Sequence, residues 1–346
     1  MDDHPRDGEV PGLDLPRLRA YLADRLGTPV GGLSAEVIAG GRSNLTYRVT
    51  DGDARWVLRR PPLGHVLPTA HDMGREYRVI SALRETAVPV PEALLLCPDE
   101  SVLGAPFYLM AEVAGVVLRT AADYAGASPA AMARCARLLV DTLVALHRIE
   151  PESVGLGDFG RPAGYLERQV KRWYRQWDAS ATRVLPALDA LHAGLARAVP
   201  DSTAYGIVHG DYRLDNLMFD AELNRVAAVL DWEMATIGDP LADIGLLFVY
   251  TDLARHGLGT AAAPPPDELG FPAAEALLAA YAEARGIGLD RLDWYVALGY
   301  YKLAIISEGI HARFLAGETV GADFDTIGAR VPGLVDLGLS ALSGKR

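Results

Sequence analysis

The chain has 346 residues, half of them hydrophobic, with 33 basic against 45 acidic side chains and a net charge of −12; this excludes a mainly disordered state and predicts two lobes. Only Cys97 and Cys135 are present, which excludes a disulfide framework and multi-cysteine metal sites, and both read as buried small hydrophobes. No charge-free apolar run reaches the roughly 18 residues of a membrane span, the acidic Met1–Val10 stretch is unlike a signal peptide, and the acidic balance, with only Lys171 and Lys302 as lysines before the C-terminus, argues against a long nucleic-acid groove.

A cytoplasmic protein without nucleic-acid or membrane partners is therefore expected, as a monomer or a homodimer. Along the chain, Leu15, Leu18, Tyr21, Leu22 and Leu26 recur at helical spacing up to Gly27 and predict an amphipathic helix. Short β-prone runs follow at Val37-Ile38, Leu45 to Val49 and Arg55 to Leu58, with Asp51-Gly52 as the turn between the last two. Pro61, Pro62, Gly64 and Pro68 end this meander, and Asp72 to Arg84 places Met73, Tyr77, Ile80 and Leu83 on one helical face. Two further strands are expected at Ala93 to Cys97 and Pro106 to Met110.

Beyond Gly115 the composition shifts to Ala, Leu and Arg with helical periodicity, at Met132 to His147, Tyr165 to Trp177, Val184 to Ala198, Leu241 to Leu253 and Ala273 to Arg285. Between these helices, Gly206 to Asp231 is β-prone, with Leu217 to Phe219 and Val226 to Leu230 flanking a polar turn at Asp220 to Asn224. It reads as a hairpin, and His256 to Asp267 as a loop. The fold class is α+β: a strand-rich region over residues 1–112 and a mainly helical one over 113–346.

The densest polar cluster in an apolar setting is His209-Gly210-Asp211-Tyr212-Arg213-Leu214-Asp215-Asn216, followed 15 residues after Asn216 by Asp231. Phosphoryl transfer from a nucleotide needs a carboxylate that accepts the hydroxyl proton and oxygen ligands for Mg²⁺ on the phosphates. Asp211 fits the first role, and Asn216 with Asp231 the second; the alternative is an Asx-rich turn that caps neighbouring backbone.

His209-Gly210-Asp211 with Asn216, then Val229-Leu230-Asp231-Trp232-Glu233 and Gly238-Asp239-Pro240, resembles the aminoglycoside phosphotransferase and choline kinase superfamily. The likeness runs from Ile38 to about Ala316. It implies a two-lobed protein-kinase-like fold and an ATP- and Mg²⁺-dependent kinase acting on a small-molecule hydroxyl. Gly40 to Tyr47 and Val57 to Pro62 look most like the bacterial branch related to kinase domains fused to acyl-CoA dehydrogenases. That branch implies a hydroxy acid or hydroxyacyl thioester as acceptor, whereas the superfamily name and the acidic charge suggest an aminoglycoside. A nucleotide-binding pseudokinase or scaffold is the reading from another class.

Residue by residue, the resemblance places Ser43 and Asn44, beside Gly40 and Gly41, near phosphate; the glycines alone are also an ordinary tight turn. Arg59 stands where the family usually has a lysine for the α- and β-phosphates, with Glu76 as its pairing acid. Alternatively, Arg59 is solvated and Arg60 takes that role. Ala111 and Val113 match backbone contacts to adenine, and Val57, Met218 and Leu230 either sandwich the base or are plain core. Arg213 contacts the transferring phosphate or lies in solvent, and His209 positions the loop backbone. Gly210 replaces an arginine that reads phosphorylated loops in protein kinases, which speaks against a phospho-switch. Asp239, Pro240 and Asp243 suit a helix start. Acceptor recognition falls to Lys171, Arg172, Trp173, Tyr174, Arg175 and Trp177, or to Tyr300, Tyr301, Glu308, His311 and Arg313, the aromatic residues being equally readable as core.

Overall fold

The computed structural model describes residues 10–27, 31–38, 44–63, 72–202, 204–256, 258, 269–317 and 326–345. The chain divides into one unit of Met1–Gly115 with Ala227–Glu233, and a second of Val116–Val226 with Met234–Arg346. The segment that carries Asp231 thus belongs to the first unit, although in sequence it lies deep within the helical region.

In the first unit, α1 (Leu15–Leu26) begins where the Asp14 side chain accepts the Arg17 N–H at 3.0 Å and ends at Gly27, whose φ of 65° suits glycine. After it come β1 (Ser34–Val37), β2 (Leu45–Thr50), β3 (Arg55–Arg60), α2 (Met73–Leu83), β4 (Ala93–Cys97), α3 (Glu100–Leu103) and β5 (Phe107–Ala111). The strands form one antiparallel sheet in the order β1-β2-β3-β5-β4. The expected meander is its first half. Ile38 lies just past β1, its N–H donating to the Thr46 carbonyl at 2.8 Å, and β5 starts after Pro106, which has no N–H to give.

Side chains alternate across a strand, and this parity sorts β3. Trp56 and Leu58 join Leu18, Leu22, Tyr47 and Phe107 in the core beneath α1. Arg60 has the same parity and donates to the carbonyls of Gly12 and Leu103. Val57 and Arg59 consequently occupy the opposite face.

The second unit contains β6 (Val116–Val117), α4 (Ala121–Tyr124), α5 (Pro129–His147), α6 (Tyr165–Ser180), α7 (Pro186–Arg197), β7 (Gly206–Val208), β8 (Leu217–Phe219) and the start of β9 (Val226–Val229). Then follow β10 (Thr236–Gly238), α8 (Leu241–Asp252), α9 (Ala274–Arg285), α10 (Leu292–Leu315) and α11 (Val331–Leu342). The helices read from periodicity are all present. The turn after β8 is closed by Asp220, whose N–H reaches the Arg225 carbonyl at 3.1 Å and whose carboxylate accepts the Asn224 N–H at 2.7 Å.

The structure adds α10 and α11, and α10 carries no periodic signal. Over most of its length α10 is buried on every side, packed against α6, α8 and α11, so no polar stripe marks its period. Most of the expected loop from His256 to Asp267 lies outside the described residues; His256 itself ends the short turn Leu253–His256. Among the described residues, no helix is long and apolar enough to cross a membrane.

Candidate active site

In the first unit the site is built on the face of β3 that carries Arg59. Helix α2, capped by Asp72, buries Met73, Ile80 and Leu83, and Glu76, three residues after Met73, is carried into the same buried face, only 1% exposed. Arg59 Nη1 meets Glu76 Oε1 at 2.9 Å and Nη2 meets Asp231 Oδ1 at 3.0 Å. Glu233 Oε2 lies 3.9 Å from the same Nη2 and accepts from Asn44 Nδ2 at 2.9 Å. Arg59, not Arg60, therefore pairs with Glu76, and it is not solvated.

Burial of Arg59 disfavours its charge, but Glu76, Tyr108, Asp231 and Glu233 outweigh that and hold the guanidinium protonated. Burial raises Glu76 above the ordinary carboxylate range against the pull of Arg59. Asp231 adopts φ 64°, a left-handed conformation that Asp tolerates better than most residues. Its neighbours hold that turn. The buried Trp232 ring donates to the Val229 carbonyl at 3.0 Å, and Val229 N–H donates to Pro89 at 2.8 Å.

Val57 is buried and Leu230 half-buried. Ala111 ends β5 with its N–H taken by the Glu92 carbonyl at 2.9 Å, and Val113 follows, half-buried. Gly40, Gly41 and Ser43 lie outside the described residues.

In the second unit, β7 pairs with β10 and delivers the His209–Asn216 loop. Asp243, in the first turn of α8, is fully buried; it accepts the N–H groups of His209 and Gly210, each at 2.8 Å, and pairs with His147 Nε2 at 3.2 Å. Burial tends to raise its pKa, but His147, His209 and the Gly210 N–H hold it below the usual range. Asp243 is thus the brace of the loop, a larger part than the expected helix-dipole role. Gly210 has φ 82°, and a Cβ there would stand 2.7 Å from the Met234 carbonyl oxygen. The Asp211 N–H donates to His209 Nδ1 at 3.2 Å, so the histidine does hold loop backbone.

The Asp211 carboxylate accepts from Tyr250 OH at 2.6 Å on Oδ1 and from Asn216 Nδ2 at 3.1 Å on Oδ2. Asn216 Nδ2 also donates to the Asp211 carbonyl at 2.8 Å. Both amide protons are thereby committed, and the side-chain oxygen of Asn216 is the atom left to offer a cation. Arg213 Nε lies 3.5 Å from Asp211 and its Nη2 3.0 Å from Asp215, with the guanidinium 5.0 Å from the centre of the Tyr250 ring, so it is drawn inward instead of lying in solvent. Lys302 Nζ donates to the Gly210 carbonyl beside the Trp173 ring.

Burial works to raise the pKa of Asp211, and Arg213, Lys302, Tyr250 and His209 together hold it below the usual carboxylate range. Burial, reinforced by the nearby Asp211 carboxylate, pushes Asp215 up to about 6, against the pull of Arg213, its own backbone N–H and Arg119. Met218 is half-buried on β8.

Asn216 and Asp231 are hard oxygen donors of the kind Mg²⁺ takes in ones and twos, the rest of its shell being phosphate and water. Among the described residues no three His, Cys, Asp or Glu side chains gather as a protein-only metal cage. By donor type, each of the two residues suits a magnesium ion.

Lys302, Tyr250, Asp215, Asp243 and Glu233 were not assigned from sequence to the surroundings of Arg59 and Asp211. The last three stood inside or near the recognisable motifs; Tyr250 and Lys302 arrive from α8 and α10 by packing alone, without a local signal. Several candidates for acceptor recognition are instead structural. Trp173, Trp177, Tyr300, Tyr301 and Glu308 are buried, Tyr300 OH donates to Asp252 at 2.8 Å, and Glu308 accepts from the Thr182 N–H at 2.8 Å. Asp239 accepts the Leu241 N–H at 2.9 Å and Tyr295 OH at 2.6 Å.

The profile of the Phosphotransferase enzyme family, APH, matches residues 34–295. Acyl-CoA dehydrogenase family member 11 of Gallus gallus is 38% identical over 319 residues, covering 90% of this chain and 40% of that protein. Family member 10 of Mus musculus is 34% identical over 324 residues, covering 92% of this chain and 30% of its own. The chain thus spans well under half the length of these curated relatives. A Ralstonia eutropha crystal structure named a "putative aminoglycoside phosphotransferase" superposes with a TM-score of 0.81 at 34% identity, covering 96% of this chain and 99% of that one. The aminoglycoside phosphotransferase APH(4)-Ia, in complex with AMP-PNP and hygromycin B, shares the fold at a TM-score of 0.61 and 15% identity, over 95% of this chain and 99% of its own.

Proposed function

The chain belongs to the APH phosphotransferase enzyme family and has its two-lobed protein-kinase-like fold, and from that premise we propose that it transfers the γ-phosphate of ATP to the hydroxyl of a small molecule. The observation that carries this reading is Asp211. Its carboxylate is ionised, fixed from two sides by Tyr250 and Asn216, and set in a loop braced by Asp243.

The acceptor oxygen bonds to the γ-phosphorus as the bond to the bridging oxygen of ADP breaks, and the hydroxyl proton passes to Asp211. Asn216 and Asp231 would offer their side-chain oxygens to a magnesium ion, which when bound would supply charge neutralisation on the phosphates. Arg59, kept charged by Glu76, takes the phosphate-holding role that a lysine has in most of the family, with Ser43 and Asn44 as additional donors. Ala111 and Val113 hold adenine through backbone, and Val57, Met218 and Leu230 give it apolar contact. Arg213 steadies the phosphate in transit. Since the transition state is loose, positioning and electrostatics carry most of the acceleration.

For the acceptor we favour a hydroxy acid or hydroxyacyl thioester over an aminoglycoside, because the curated relatives of similar sequence are acyl-CoA dehydrogenase family members. The test is Mg²⁺-dependent ADP release with aminoglycosides, choline, sugars, hydroxy acids and hydroxyacyl-CoA thioesters. Asp211→Asn is expected to lower turnover by about 10²- to 10⁴-fold with nucleotide binding retained. Turnover in the variant equal to the wild type would sink the assignment, and ATP binding without transfer to any acceptor would point to a pseudokinase.

A further inference from the structure

Arg168, Lys171, Arg172 and Arg175 stand on α6 at spacings of three, one and three, which places them on one helical face. All four are exposed, and none forms an ion pair with a carboxylate among the described residues. They line a concave space of about 530 Å³ with Gln169, Tyr174 and His192. The nearest acid on the facing helix is otherwise engaged: Asp189 accepts from Tyr174 OH at 3.0 Å. Tyr174 stacks on His192 with ring centres 4.0 Å apart, and His192 Nδ1 lies 3.1 Å from Tyr301 OH, so this wall is aromatic and fixed at both ends.

A protein with a net charge of −12 has here gathered four cations around one hollow whose lining includes no carboxylate, Asp189 and Asp178 lying behind its Tyr174–His192 wall. Such a local field draws in an anion, and three planar guanidiniums favour a multiply charged oxyanion that accepts in bidentate fashion, as phosphate does. The volume is that of a small-molecule site, within the roughly 300–1,000 Å³ that such pockets occupy, and the flat wall suits a ring or an extended acyl or amide chain. We propose that the α6 hollow binds a small molecule carrying phosphate groups. Gln169 also lines a second, much smaller cavity of about 30 Å³ with Gly210, Asp243 and Lys302, at the root of the Asp211 loop. If the kinase reading holds, on which this step rests, the phosphate-bearing molecule is the acceptor, anchored on α6 by its end remote from the hydroxyl.

The test begins with calorimetric titration of inorganic pyrophosphate into the full chain saturated with AMP-PNP, in the wild type and in a Lys171→Gln/Arg172→Gln/Arg175→Gln variant. Unchanged melting temperatures show that the variant, altered only at exposed positions, is folded. The expected result is wild-type binding that weakens by about tenfold or more in the variant. Equal affinity in the two proteins, or no binding to the wild type, overturns the site. Citrate binding as tightly as pyrophosphate overturns the phosphate assignment, and phosphatidylserine vesicles captured through these residues in preference to pyrophosphate overturn the small-molecule one. In the transfer assay, the variant should raise KM for a hydroxyacyl-CoA thioester, which carries phosphates, and not for the free hydroxy acid, which carries none. Should no acceptor be phosphorylated while the variant still loses pyrophosphate, the kinase reading falls and the anion site stands.

Discussion

In the first unit a single guanidinium, Arg59, serves Glu76, Asp231 and Glu233, whereas in the second a single carboxylate, Asp211, is served by Tyr250, Asn216 and Arg213 with Lys302 close by. The first centre has more negative charge than its cation can neutralise, which is the condition for recruiting a further cation. The second has a surplus of donors, which fixes one carboxylate and keeps it ionised. Removing the hub of the first strands a buried charge; removing one donor from the second only retunes what remains.

The sharpest way to break this contrast is Arg59→Met. Glu76, 1% exposed, is left without its cation, and the expected loss is about 3–5 kcal/mol in urea unfolding. Adding Glu76→Gln should recover most of it, because neither partner is then stranded. A double variant as unstable as the single one would show that Arg59 holds the unit through Asp231 instead.

A second test uses Asp215, whose pKa of about 6 lies above the ordinary 3.8. Between these values the folded chain keeps a proton that the unfolded chain has lost, so this group's stabilising contribution falls as pH rises through that window and is level above it. The shift corresponds to about 3 kcal/mol. Asp215→Asn should abolish that fall, gaining on the wild type from about pH 4 to about pH 6 and keeping a constant margin above it, in paired denaturant titrations. Parallel pH profiles would contradict the assignment.

The smallest expected effect comes from Tyr250→Phe, which takes one donor from Asp211. The loss of about 1.5 kcal/mol should appear as a shift of roughly one unit upward in the acidic limb of the pH–rate profile. An unmoved limb would mean that Arg213 and Lys302 suffice.

Much of this was legible because it is local. Gly27 marks the end of α1, the period of two distinguishes Arg59 from Arg60 once β3 is placed, and the His209–Asn216 cluster stands out by its polarity in an apolar stretch. The motif also held more than it disclosed: Asp243 reads as a helix-start residue until its two loop N–H groups are seen. The rest depends on long-range packing. Lys302 reaches Gly210 across 92 positions, and Tyr250 reaches Asp211 across 39, from helices whose sequences advertise only burial. The residues of the α6 hollow were partly named, but exposed basic and buried aromatic side chains alternate so closely there that the sequence stripe mixes a surface with a core.

The glycine before Asp211 has a consequence for how this loop can vary. With a left-handed backbone and the Met234 carbonyl where a side chain would begin, position 210 cannot be changed without moving 234 as well. Because the obstruction is a backbone carbonyl, which every residue at 234 would carry, no exchange of the Met234 side chain makes room; a larger residue at 210 has to be accommodated by a shift of the chain around 234.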